Sequence, residues 1–153
     1  MSDVVTPQDS GEQFIAAIRT EVSAWPGVTD GDHRDGGREF HLGTAELGHI
    51  HRSGLVDVEF PRSLRDAVVE DGIAAPHSLA PHSGWTSFRL VESADVPLAV
   101  RLFRVSYLGR LFSRAHTHVG RSVLEELDLD SELASLPPSV AEELSSNLPE
   151  PTA

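Results

Sequence analysis

The sequence predicts one α+β domain, an antiparallel sheet of four to five strands packed against about three helices, followed by a disordered acidic C-terminal tail. Three observations carry this. Short runs with a two-residue alternation lie between Arg38 and Phe60, separated by glycine-containing turns too short for crossover helices. Stretches on either side place apolar residues at helical spacing. From about Val119 onward acidic residues dominate and apolar ones are sparse, which leaves little surface to offset the entropy of ordering. The domain is expected over residues 10–118 and the partly disordered tail over 119–153.

In chain order, Ser10 with Gln13 suits a capping box, and Phe14, Ile15, Ile18 and Val22 follow at helical spacing, so a first helix is expected from Gly11 to Ala24. Pro26-Gly27 ends it. Val28 to Arg34 is a candidate strand weakened by Asp30, Gly31 and Asp32, and Asp35-Gly36-Gly37 signals a turn. Arg38 to Leu42 alternates. Pro61 suits the first turn of a helix whose stripe is Leu64, Ala67 and Val68, running from Arg62 to Asp71 and stopping at Gly72. Ala74 to Gly84, with prolines and histidines and no period, reads as a loop before a strong strand, Trp85 to Val91. A third helix, from Val96 to Leu111 with Ser93 or Asp95 as its cap, has an apolar surface broad enough to make it the most buried. His116 and His118 fall on a polar segment and read as solvated.

The chemistry-bearing stretch is Glu46 to Phe60. Alternation puts His49 and His51 on one face of a strand. Arg52-Ser53-Gly54 suits a three-residue connection with glycine in the left-handed region. That loop pairs His51 with Leu55 and His49 with Asp57. One face of the hairpin then carries Leu47, His49, His51, Leu55, Asp57 and Glu59; Ile50, Val56, Val58 and Phe60 face the core. A loop of two residues would shift the register and break this arrangement.

Composition excludes several classes. There are no cysteines, so disulfides, thiolate metal sites and a cysteine nucleophile drop out. The formal net charge is −12, with 24 acidic residues against 12 basic ones, all arginine. A lysine-free acidic surface reads as adaptation to concentrated salt, and it repels phosphates, which argues against nucleic acid. No stretch approaches the roughly 20 apolar residues that span a bilayer, and the amino terminus has no leader-like pattern. A cytoplasmic protein acting on a small molecule is expected; the oligomeric state is left open. No Gly-x-Ser-x-Gly, Walker loop or dinucleotide fingerprint is present.

Glu46-Leu47-Gly48-His49-Ile50-His51 on a strand, Pro76-His77-Ser78-Leu79-Ala80 in a loop, and Trp85-Thr86-Ser87-Phe88 before a helix containing Ser106 follow one another in an order that resembles the luciferase domain of fungal luciferases and small microbial proteins. The resemblance covers about residues 38 to 111, and its matched positions are Glu46, His49, His51, His77, Leu79, Ala80, Trp85, Thr86 and Ser106. It implies addition of molecular oxygen to a hydroxypyrone-like molecule without metal or organic cofactor. The chain departs from the fungal proteins in lacking their N-terminal membrane segment and much of their length, and in the glycine and proline of the loop before Trp85.

His49, His51, Asp57 and His77 are therefore the candidate catalytic residues, with Asp57 orienting His49 and His77 as donor or second base. Trp85 and Glu46 are the candidate substrate contacts; Trp85 reads equally as a core residue of its strand. Deprotonating an enol or hydroxyl makes an electron-rich anion that reacts with oxygen directly, so no cofactor is required. Two alternatives use the same residues. The histidines can hold zinc or iron, with His77 or with Asp57 or Glu59 completing the set, although the expected cupin glutamate after His49-x-His51 is missing. They can also form a non-catalytic contact surface for a ligand or protein.

Overall fold

The computed structural model describes residues 7–146, and the side chains within that span except those of residues 7–10 and 35. Helix α1 (Pro7–Val22) precedes strand β1 (Val28–His33), a single 3-10 turn at Arg34–Gly36, and strands β2 (Gly37–Leu42), β3 (Ala45–Ile50) and β4 (Leu55–Glu59). Helix α2 (Arg62–Glu70), strands β5 (Ala75–Pro76) and β6 (Trp85–Arg89), and helices α3 (Asp95–Ser113), α4 (His118–Glu126), α5 (Leu129–Ala134) and α6 (Pro138–Ser146) follow. The strands form one sheet in the order β1-β2-β3-β4-β6-β5, each neighbour antiparallel.

The α+β class and the antiparallel sheet are as expected, but among the described residues the sheet has six strands where four to five were expected, and there are six helices where about three were. The additional strand, β5, is a two-residue pairing at the sheet edge, too short to show alternation, and Pro76 is tolerated there because an edge strand does not need every N–H. The weak β1 is held from both sides: the Arg38 guanidinium donates to Asp32 at 2.6 Å and also pairs with Asp30, while Arg19 of α1 donates to Asp30 at 2.7 Å. Helix α1 begins at Pro7, so Ser10 lies inside it and is not its cap; the Ser10 side chain lies outside the described residues. Helix α3 starts one residue earlier than expected, and Asp95, its first residue, accepts from the backbone N–H of Val91 and Glu92 while Ala94 holds the cap position.

The larger correction concerns residues 119–146, expected to belong to a partly disordered tail with one short helix from Ser139 to Ser145. They form α4, α5 and α6. Their apolar residues are few but well placed: Val123, Leu136, Val140 and Leu144 are buried, each contributing about 1.5–3 kcal/mol. Helix α6 packs on α2 and α3, and α5 is tied to α3 where Arg104 Nε donates to Glu132 at 3.0 Å. Ser139 of α6 donates to Asp71 just after α2.

The core lies between the helices and one face of the sheet. Phe40, Ile50, Val56 and Val58 project from the strands onto α1 and α3, whose Ile18, Val22, Leu102, Phe103 and Tyr107 are equally buried. Among the described residues no helix is long and apolar enough to cross a membrane. The opposite face carries the histidines.

Candidate functional site

Strand β3 departs from simple alternation in one place, and that departure shapes the site. Phe40 pairs with Gly48 but His41 pairs with Glu46, so Leu47 is an extra residue, a β-bulge. Leu47, expected on the histidine face, is turned fully into the core, and its carbonyl accepts from the buried Ser106 hydroxyl at 2.9 Å. Glu46 moves the other way, and its Oε1 lies 3.4 Å from Nδ1 of His49. Only glycine fits at position 48. A Cβ there would sit 2.7 Å from the Asp57 carbonyl and 2.9 Å from the Phe103 ring, where α3 crosses the strand.

Beyond the bulge the register is as expected: His49 opposes Asp57 and Ile50 opposes Val56. His51 and Leu55 close the hairpin, with Gly54 at φ 93° donating to the His51 carbonyl at 2.8 Å. On the far side of β4, Ser87 opposes Asp57. Asp57 is thus flanked by two strands, and it is only 1% exposed.

The imidazoles meet at this buried carboxylate. Its Oδ2 is 2.7 Å from Nε2 of His51, 3.3 Å from Nε2 of His49 and 3.5 Å from Nε2 of His77, while Oδ1 accepts from Ser87 Oγ at 2.8 Å. Burial alone would favour the neutral acid, but the His49, Ser87 and His51 hydrogen bonds outweigh it and hold Asp57 well below the usual carboxylate range. Burial likewise opposes a charge on His49, yet Asp57 and Glu46, one at each ring nitrogen, raise its pKa to about 9. His49 is therefore an imidazolium at neutral pH.

His77 comes from the loop after β5, which is ordered by its own turns and by Arg65 donating to the Pro81 carbonyl. Its Nδ1 accepts from the Leu79 N–H at 3.1 Å, which leaves Nε2 to carry the proton toward Asp57. Trp85 lies beside His49, ring centroids 5.2 Å apart.

Sequence reasoning missed His33. At the end of β1 its ring stacks on His49, centroids 4.1 Å apart and planes 11° apart, with an edge contact to His51 at 5.4 Å. Burial, and then the His49 charge, lower its pKa, so it stays neutral. Alternation within β1 does not reveal this neighbour, because β1 reaches the hairpin only through β2.

His33, His49, His51, Asp57 and His77 share a cavity of about 770 Å³, which Arg34, Arg52 and Leu79 also line. Of the six sequence-predicted residues, His49, His51, Asp57 and His77 line it; Glu46 and Trp85 touch His49 without lining it. His33, His49 and His51 offer ring nitrogens within 4.8 Å of one another, as do His33, Glu39 and Glu46 with their own ligand atoms, so either set can hold a metal ion. His116 and His118 lie apart from the site and are exposed.

Searches of the curated proteins and of the solved structures found no match. The family model described as Luciferase domain matches residues 44–106. This span runs from the turn before β3 into α3 and includes His49, His51, Asp57, His77 and Ser106, so residues 44–106 belong to the luciferase domain family.

Proposed function

We propose that the histidine cavity is the active site of a cofactor-independent oxygenase or related enzyme acting on a flat small molecule with an acidic hydroxyl. The observation that carries this reading is the convergence of three imidazoles on one buried carboxylate at the floor of an open cavity. An ionised carboxylate only accepts, so the 2.7 Å contact has His51 Nε2–H donating to Asp57 and leaves Nδ1 of His51 with its lone pair. His51, 38% exposed and the most open of the three, is then the general base, and Asp57 orients it.

The chemistry follows in two steps. His51 takes the hydroxyl proton of the substrate, and the resulting anion is stabilised by the His49 imidazolium, which Asp57 and Glu46 hold in its charged form. The anion passes one electron to molecular oxygen, and recombination of the substrate radical with superoxide forms the carbon–oxygen bond of a peroxide. Family membership supports this class of reaction, and the hydroxylated flat ring is the substrate form that the base requires.

A metal on His33, His49 and His51 has less support, because His49 meets a carboxylate at both ring nitrogens, an arrangement suited to two N–H groups rather than to a lone pair on a metal. A non-catalytic binding module would use the same cavity without turnover.

The test is oxygen uptake with a panel of hydroxypyrones and hydroxylated aromatics in high salt, comparing wild type with His51→Gln, His49→Ala and His77→Ala. Uptake by the wild type that falls at least tenfold in the His51 and His49 variants supports the reading; binding without uptake, or equal uptake in every variant, rejects it. Chelator-treated wild type should keep its full rate.

A further inference from the structure

The outer part of the cavity has a different chemistry from its floor. Arg34, from the 3-10 turn between β1 and β2, and Arg52, from the turn between β3 and β4, both line it. The two turns touch: a Cβ on Gly36 would lie 3.3 Å from Cδ of Arg52. Two guanidiniums from segments distant in sequence are thereby brought to one rim.

Their partners are few. Arg34 has no carboxylate partner among the described residues, and Arg52 has only Glu12 at 3.6 Å, with both side chains at least half exposed. Arg19, Arg38, Arg65, Arg104 and Arg110 are all in ion pairs, and of the arginines that are not, Arg34 alone lines the cavity. Among the described residues the sole carboxylate in the lining is Asp57, already occupied by the imidazoles and Ser87. A chain with twice as many acidic as basic residues has left a cationic rim on this cavity. A guanidinium presents a planar fork of N–H donors that matches a carboxylate, and Ser53 and Ser78, which also line the cavity, carry further hydroxyl donors.

We infer that the cavity takes a substrate carrying a permanent carboxylate in addition to its ionisable hydroxyl, with Arg34 and Arg52 holding the carboxylate at the rim while the hydroxyl reaches the imidazoles. This rests on the proposed function for the orientation of the hydroxyl, and on the rim alone for the charge.

The probes are 4-hydroxybenzoate and its neutral methyl ester, with binding to the full chain measured by calorimetry at low and at 1 M salt. The wild type should prefer the acid at least tenfold at low salt, and the preference should shrink at 1 M salt because exposed charges are screened. The double variant Arg34→Gln/Arg52→Gln should lose the preference and bind the ester as the wild type does; Arg34→Gln alone, which removes no ion pair among the described residues, should lose part of it. Equal binding of acid and ester by the wild type, binding of neither, or a preference that survives in the double variant would overturn the inference. Absence of the charge preference with oxygen uptake intact would remove this inference alone. A preference for the acid with no oxygen uptake from any hydroxylated probe would remove the oxygenase chemistry and leave the anion site standing.

Discussion

Two pairs of histidines in this chain have the same spacing, His49-x-His51 and His116-x-His118, and they end in opposite circumstances. On β3, residues two apart share a face, and the rings of His49 and His51 stand edge-on with centroids 4.9 Å apart. Neighbouring strands then bring Asp57, Ser87 and His33 to that face. His116 and His118 flank Thr117, whose hydroxyl caps α4 by accepting from Gly120, and both rings are exposed. Spacing confers chemistry on the first pair only because cross-strand neighbours supply a buried partner.

The strongest way to break the contrast is to remove that partner. Asp57→Asn keeps the shape and deletes the charge; it should lower the unfolding free energy at pH 7 by about 3 kcal/mol, as loss of one member of a buried ion pair does. Urea unfolding measures this, and an unchanged midpoint would make Asp57 energetically equivalent to a surface carboxylate. Next comes His51, the proposed base. His51→Gln should cost about 100-fold or more in turnover, the usual contribution of a general base, while stability moves by less than about 1 kcal/mol. Comparable losses in rate and stability would mean the ring is structural.

A third test uses pH. The folded state raises the His49 pKa from 6.5 to about 9, so it binds that proton more tightly than the unfolded chain does. The resulting stabilisation is complete below about pH 6.5 and is lost as pH rises through 9. The groups facing His49 are Asp57, Glu46, His33, His51 and Trp85. Unfolding midpoints measured across that range should fall in the wild type and stay flatter in His49→Gln. The smallest effect is expected at the other pair. His116→Gln and His118→Gln should each leave stability within about 0.5 kcal/mol and oxygen uptake unchanged, as exposed substitutions usually do.

Much of the hairpin was legible in advance. The shared face of His49 and His51, the opposition of His49 and Asp57, and the turn at Gly54 follow from alternation and from one glycine's freedom, and both act over a few residues. Asp57 was expected to orient His49, whereas its shortest contact is with His51, because side-chain rotamers and not Cα register set that distance.

Sequence by itself determined the α+β class, the core face of the hairpin and the presence of His77 on an ordered loop ahead of Trp85. Tertiary structure alone decided the bulge that exchanges Leu47 and Glu46, beside which Phe103 of α3 comes close to Gly48; the arrival of His33 and Arg34 through β1; and the docking of α4 to α6 by four buried apolar side chains. The division has one physical reason. Backbone sterics and side-chain alternation are properties of neighbours in the chain, while the partners that bury a carboxylate or anchor a sparse helix come from segments whose approach is settled only when the whole core packs.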